Sequence, residues 1–391
     1  MSRVLVLYGG MSPEHEVAII SALQIMHALH DAGHEVIPVY ISKTGVWVRG
    51  DDRFLMPEFY QDLQQPVRLG KQVALTANRA LPWLQKVAFG FQEKDAFDVV
   101  FPVFHGSNGE DGTIQGLLTL SGVPFVGCGV GASAAGMDKS ISKAIALQAG
   151  LQVVPDVLVI ESLWQEQQAE YLAQAKKIGS AWFVKPATLG SSIGISHAKT
   201  EKQLINAIEV AFAYDERVLV EAAITDPTEV NISIIGNDPY ELSMTEEPVR
   251  SSEILSFEDK YLRNGSKKGK RSEGMASASR IIPARISDKQ LKQVQAAAEA
   301  FFRALGGKGI ARVDFMFDSK GELYFNEINT LPGSFAFYLW EKSGYPFPQL
   351  VDQLVQLAVK SHEKKNARIT TFDSNILSGY AENSAKGGKI G

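Results

Sequence analysis

Val4-Leu5-Val6-Leu7-Tyr8 is an unbroken apolar run, the pattern of a strand buried on both faces rather than half-solvated. Gly9-Gly10 predicts a turn. Ser12 followed by Pro13 predicts an N-cap with proline at the first helical position. Val17, Ile20, Leu23, Met26 and Leu29 then fall on one helical stripe that Gly33 closes. His34–Ile41 reads as a second strand, and this strand–helix–strand start predicts a parallel sheet. Asp98–Phe104 is another buried strand, leading through a glycine-rich turn, Gly106–Gly112, into a short helix, Thr113–Leu120, and a strand, Val123–Gly127. The pattern between about residues 50 and 95 is mixed and yields no order.

Beyond Gly129 the pattern changes. Lys139–Ala149 is a helix closed by Gly150, Trp182–Lys185 and Ile193–Ser196 are short strands around a loop of small residues, and Val218–Glu221 is a strand leading onward. Glu229–Ile235 opens a third group. After a polar stretch, Glu258–Ser279, come a helix, Asp288–Leu305, with Ser287 as its N-cap, two strands, Arg312–Phe317 and Leu323–Asn329, and a last helix, Pro348–Lys360. The expected organisation is a parallel-sheet unit over 1–127, a central unit over 128–220, a C-terminal unit over 221–362 and a poorly ordered Lys-, Ser- and Gly-rich tail over 363–391.

A chain of 391 residues is long enough for two or three packed units. Its 45% hydrophobic and 21% charged content is that of an ordinary globular protein, and a net charge of −5 calls for neither nucleic acid nor a membrane surface. One cysteine, Cys128, excludes an intrachain disulfide and points to a reducing, cytoplasmic setting, with Cys128 as a packing residue. The opening apolar run is too short for a signal peptide, and no 18-residue apolar stretch is present. His27 and His30 share a helical face with no third ligand nearby, so a solvated face is expected.

Candidate chemistry concentrates in the predicted hairpin. Arg312 and Asp314 share one strand face, as do Glu327 and Asn329. A two- or four-residue loop would pair Asp314 with Glu327 and Arg312 with Asn329; an odd loop separates them unless a bulge restores the count. In the even register Val313, Phe315, Phe317, Tyr324 and Ile328 make a core face, with Asn326 the one polar exception, so burial favours it. Two neighbouring carboxylates repel without a cation, and an oxygen-only set suits Mg²⁺. A solvated hairpin with chance charges explains the same residues. Lys185 ends a strand ahead of a Gly- and Ser-rich loop through Gly194 that can fold over phosphates, although an ordinary hairpin turn fits as well. Lys139 opens a helix, where it opposes the dipole unless an anion is near. Glu14 complements the first helix dipole or serves as a carboxylate at the ligand-binding edge of a parallel sheet.

Together these segments resemble the D-alanine:D-alanine ligases of the ATP-grasp superfamily. The resemblance rests on Leu7–Val17, Phe104–Gly106, Gly109–Gly116, Met137–Lys139, Val184–Pro186, Gly190–Ser192, Asp259–Tyr261 and Asn326–Gly333, and it covers the chain to about residue 360. It implies an α/β and α+β architecture: an ATP-grasp fold preceded by a Rossmann-like parallel-sheet unit. It implies that Lys139 and Lys185 hold ATP phosphates under a loop carrying Ser191 and Ser192, with Lys260 also in the nucleotide set, and that Glu221 and Glu229 meet adenine and ribose. Asp314, Glu327 and Asn329 would ligate two Mg²⁺ (or Mn²⁺), and Arg312 and the Gly333 N–H would stabilise the tetrahedral intermediate. Glu14 would hold the first substrate's ammonium, linked through Ser191 to Tyr261, with His105 and Lys260 at the second substrate.

The implied reaction joins two D-alanines through an acyl phosphate for peptidoglycan precursor synthesis, in a homodimer with no nucleic-acid or membrane partner. Tyr261 favours D-alanine over D-lactate as acceptor. One departure bears on the acceptor: Tyr338 stands where the family has a serine, which leaves Ser334, Tyr338 and Leu339 as candidate acceptor residues and D-serine as an alternative acceptor. The basic stretch after Tyr261 and the C-terminal tail are further departures. A nucleotide-binding regulator without turnover is the competing class.

Overall fold

The computed structural model describes residues 1–76, 84–86, 94–190, 194–249 and 280–370, with backbone alone at 84–86 and 94–95. The first sheet contains β1 (Arg3–Gly9), β2 (Glu35–Ile41), β3 (Trp47–Arg49), β4 (Lys71–Leu75), β5 (Leu84–Lys86), β6 (Lys94–Asp95) and β7 (Val99–Val103), in spatial order β6-β5-β4-β3-β2-β1-β7. β1 pairs in parallel with β2 and β7, which is the predicted core. The region that the pattern left unread supplies the antiparallel extension β3–β6. Helices α1 (His15–Asp31), α2 (Gln65–Leu69) and α3 (Thr113–Ser121) accompany this sheet.

Two local expectations fail here. α1 starts at His15 without a side-chain cap, because Ser12 ties the turn instead: its hydroxyl donates to the His105 carbonyl at 2.7 Å and accepts the Glu14 N–H at 3.1 Å. Val123–Gly127 is not a strand; Phe125 makes only a single parallel bridge to Val100. His27 and His30 are exposed as expected, whereas His34 is buried, accepting the Ser2 N–H and lying 3.1 Å from Asp352.

The second sheet is antiparallel, with β8 (Asp156–Ile160), β9 (Trp182–Pro186), β10 (Ser196–Ala198) and β11 (Arg217–Ala222) in order β10-β9-β11-β8. The predicted strand Ile193–Ser196 appears two to three residues later, and Ile193 lies outside the described residues. Helices α4 (Val130–Met137) and α5 (Lys139–Gln148) lead into this sheet, and α6 (Glu161–Ile178) and α7 (Glu201–Ala211) cover it. Asp138 caps α5 by accepting from the Ser140 and Ile141 N–H groups.

The third sheet, also antiparallel, contains β12 (Thr228–Gly236), β13 (Tyr240–Pro248), β14 (Arg280–Ile281), β15 (Gly309–Phe317) and β16 (Leu323–Asn329), in order β14-β13-β12-β15-β16. Helix α8 (Asp288–Ala304) begins with the predicted Ser287 cap, completed by Gln290 as a capping box. α9 (Phe337–Lys342) and α10 (Phe347–Asn366) follow. α10 runs past the expected end at Lys360, and residues 371–391 lie outside the described set. Leu350, Val351 and Leu354 of α10 share a core with Ile25, Met26 and Leu29 of α1, so the first and third sheets are fastened together.

The β15–β16 turn, residues 318–322, is odd in length. Alone it would set Asp314 opposite Asn326 and turn Glu327 to the other face. A bulge between Asp314 and Phe315 leaves Asn326 extra, and Asp314 pairs with Glu327 and Arg312 with Asn329. The same bulge corrects the expected core face. Phe325 takes the place read for Tyr324 and packs with Val313, Phe315, Ile328 and Phe301, while Tyr324 is half-buried on the other side.

Candidate active site

One row of side chains crosses four strands of the third sheet. Glu327 on β16 pairs with Asp314 on β15, Asp314 with Asn231 on β12, and Asn231 with Glu246 on β13. The Asn231 amide donates to Glu246 at 3.1 Å. One register step along, Arg312 donates two parallel bonds of 2.7 Å to Asp314, and Asn329 reaches Asp314 at 3.4 Å. Burial raises the Asp314 carboxyl; Arg312 opposes, but Glu327 and Glu246 add to the rise and bring it to about 6.

The second sheet and α5, which packs on β16, contribute cations. Lys139, at the start of α5, places its ammonium 3.9 Å from Glu327. Lys185 on β9 lies 2.5 Å from one oxygen of Glu221 on β11. The other Glu221 oxygen accepts from Lys143 at 2.7 Å. Lys143 also donates to the Val154 carbonyl at 2.7 Å and meets Asp156 at 2.6 Å. Burial disfavours charge on Glu221, but Lys185 and Lys143 outweigh it and hold the carboxyl at about 2. Burial likewise disfavours the Lys185 charge, and Glu221, with Glu327 and Glu229 behind it, raises its pKa above the ordinary value.

The first sheet supplies a third wall at the C-terminal ends of its parallel strands, where open α/β sheets bind ligands. Glu14 is buried over Gly106, at which a Cβ would stand 2.7 Å from the Glu14 carboxylate. With φ at +73° as well, that position requires glycine. His105 lies 3.7 Å from Glu110 and 2.9 Å from the Ser21 hydroxyl. Burial pushes the Glu110 carboxyl up; His105 lowers it, and Glu14 and Glu327 raise it further.

Gly333 opens a short turn in which Ser334 has φ at +48°. The Ser334 hydroxyl donates to Gln24 of α1 at 2.6 Å. Tyr338 directs its hydroxyl to Glu246 at 3.0 Å, with the Arg280 guanidinium 3.8 Å above its ring and 3.0 Å from Glu246. Leu339 is fully buried beside Ala336 and Tyr338. Ser191, Ser192, Lys260 and Tyr261 lie outside the described residues.

Glu14, His105, Lys139, Lys185, Glu221, Asp314, Glu327 and Asn329 therefore belong to three walls that meet, with Glu229 in the field of Lys185. Sequence reasoning missed Lys143, Asn231, Glu246, Arg280, Ser21 and Glu110. Only Lys143 carried a local signal, four residues after Lys139 on one helix; the others depend on cross-strand pairing or chain crossings. Among the described residues no group of three or more His, Cys, Asp or Glu could hold a metal ion; the oxygen set here is two carboxylates and the Asn329 amide. Its oxygen-only chemistry fits a hard divalent cation. Cys128 is buried, its thiol pushed up to about 11 by burial, as suits a packing residue.

Residues 3–128 match a family model described as D-ala D-ala ligase N-terminus, and residues 145–356 match one described as D-ala D-ala ligase C-terminus. The chain is 37% identical over 376 residues to the D-alanine--D-alanine ligase of Geobacillus kaustophilus, covering 95% of this chain and 98% of that one. It is 36% identical over 375 residues to that of Chloroherpeton thalassium, covering 94% and 98%. Among solved structures, VanG D-Ala:D-Ser ligase from Enterococcus faecalis superposes with a TM-score of 0.77 at 30% identity, covering 91% of this chain and 99% of that one. The D-alanine-D-alanine ligase from Coxiella burnetii gives 0.73 at 28%, covering 98% and 100%.

Proposed function

The chain belongs to the D-alanine–D-alanine ligase family, and from that premise we propose that its three walls divide the work of one ligation. The protein is an ATP-dependent ligase that joins two D-alanines in cell-wall precursor synthesis. The observation that carries the site assignment is the placing of Lys139, at the start of α5, 3.9 Å from Glu327 on β16, which sets a cation against the carboxylate row.

In this reading Lys139 and Lys185 bind the ATP phosphates, Ser191 and Ser192 close over them, and Glu221 and Glu229 meet the base and ribose. Asp314, Glu327 and Asn329 hold two Mg²⁺ or Mn²⁺ ions, which when bound supply charge neutralisation for phosphoryl transfer. Glu14 anchors the ammonium of the first D-alanine so that its carboxylate faces the γ-phosphate. Arg312 and the Gly333 N–H offset the charge that builds on oxygen as the second amine attacks the acyl phosphate. His105, Lys260 and Tyr261 shape the acceptor side and exclude water, which would otherwise hydrolyse the intermediate.

The units over 1–127, 128–220 and 221–362 are the first-substrate side, the phosphate-covering unit and the metal and acceptor unit. The protein acts in the cytoplasm as a homodimer; no helix among the described residues is long and apolar enough to cross a membrane.

D-Serine as acceptor is the alternative reading, raised by Tyr338 at the place of the family's serine. The Tyr338 hydroxyl is engaged with Glu246, so it does not simply replace a serine. Phosphate release measured with D-alanine alone and with D-alanine plus D-serine or D-lactate separates the readings. Fastest turnover with D-alanine alone is expected; faster turnover with D-serine selects the second reading. Nucleotide binding without phosphate release on any acceptor selects a regulator.

A further inference from the structure

Lys143 is a buried cation with no place in the ligation as described. Its ammonium has three protons, and three acceptors meet it: the Val154 carbonyl and one Glu221 oxygen at 2.7 Å, and Asp156 at 2.6 Å. It therefore has no donor left for a phosphate and works through its neighbours. What it fixes is the carboxylate plane of Glu221. A terminal carboxylate torsion is soft, but Glu221 has one oxygen on Lys143 and the other on Lys185, so rotation breaks one bond or the other. Lys143 is held by the main chain ahead of β8 and by Asp156 on β8, whereas Lys185 stands beside the loop that begins at Thr188. The line Asp156–Lys143–Glu221–Lys185 alternates in charge from the sheet edge inward to the site. A buried ionic chain of this kind is weak as a device for stability alone, since apolar replacements often do as well.

We propose that Lys143 is a positioning residue for the nucleotide: it orients Glu221, and through Glu221 it places the Lys185 ammonium before ATP arrives. The inference rests on the reading that nucleotide binds at Lys139, Lys185 and Glu221.

The test is equilibrium binding of ADP to the full-length protein by titration calorimetry, together with steady-state kinetics, for wild type, Lys143→Met, Lys143→Arg, Asp156→Asn and Lys185→Ala. Lys143→Met is expected to weaken ADP on the order of 10- to 100-fold, the scale at which a misplaced site group acts. It should raise the KM for ATP in proportion, leaving kcat at saturating ATP and the KM for D-alanine within about twofold. Lys143→Arg, which keeps the charge and the donors, should recover most of the loss. A purely structural role would instead lower all parameters together with Tm and would not be rescued selectively. ADP affinity within twofold of wild type in a folded Lys143→Met protein overturns the proposal. Should that variant not fold, Asp156→Asn decides: it loosens Lys143 while leaving Glu221 paired, a several-fold loss of ADP affinity supports the proposal, and an unchanged affinity overturns it. Failure of the nucleotide reading is distinct: Lys185→Ala would then bind ADP as tightly as wild type.

Discussion

Glu221 and Asp314 are buried to nearly the same degree, 5% and 6% exposed, yet their acidities move in opposite directions. Glu221 is held at about 2 and Asp314 is raised to about 6. Both carboxylates are bonded through both oxygens, but Glu221 meets two cations, Lys143 and Lys185, and Asp314 one, Arg312. Two further carboxylates, Glu327 and Glu246, then raise Asp314 again. The lysine-lined wall keeps its carboxylate ionised, and the carboxylate row raises its own. Under the proposed function the first wall meets a polyanion and the second Mg²⁺.

The largest expected effect comes from breaking the lysine-lined wall. Glu221→Gln leaves Lys143 and Lys185 buried without their shared counter-charge, at a cost on the order of 3–5 kcal/mol in urea denaturation at pH 7. The pH dependence carries a sign. The folded pKa of Glu221, about 2, lies below its ordinary 4.5, so its stabilisation is complete above about 4.5 and drains as the pH falls toward 2. The variant should therefore lose less stability than wild type in acid, and parallel curves from pH 7 to 3 would break the contrast.

Next in size, Glu327→Gln in the carboxylate row should cut turnover on the order of 10²–10³-fold, the scale for one lost electrostatic group, with Tm preserved. Full activity at saturating Mg²⁺ would contradict the metal assignment. Mg²⁺ without nucleotide should stabilise wild type by about 2.7 kcal/mol at a hundred times its Kd, and Glu327→Gln by much less, in a thermal-shift titration. Equal shifts would place the ion elsewhere. The smallest effect sharpens the acceptor side: Tyr338→Phe removes one donor from Glu246 and should cost about 1 kcal/mol, read by the same denaturation, with D-alanine still accepted.

The legible parts of the molecule share a physical basis. β1, α1, α5, α8, β15 and β16 announce themselves because a continuous run, a helical stripe or an N-cap is a local property. Asp314 and Glu327 were readable as partners because a hairpin joins them within a few residues. Asn231 and Glu246 complete the same row from strands whose register no local pattern fixes. The antiparallel extension β3–β6 is short and weakly patterned, and α6 goes unread although Trp164, Tyr171 and Leu172 face its sheet. Ser12 failed as a cap because a tertiary contact with the His105 carbonyl competed for it. Tyr338 reads from sequence as a departure and a candidate acceptor residue; its bond to Glu246 needed coordinates.

The bulge at Asn326 separates the hairpin tip from the working end of the ribbon. Since the extra residue lies between them, the parity mismatch of the tip is absorbed before it reaches Glu327. Residues 318–322 can thus be redrawn in steps of two without rotating a single ligand. Removing one residue there, though far from the chemistry, would demand that the kink vanish or that the carboxylates part company. The quiet outer end of this hairpin is the natural place to graft a reporter, provided the graft is even.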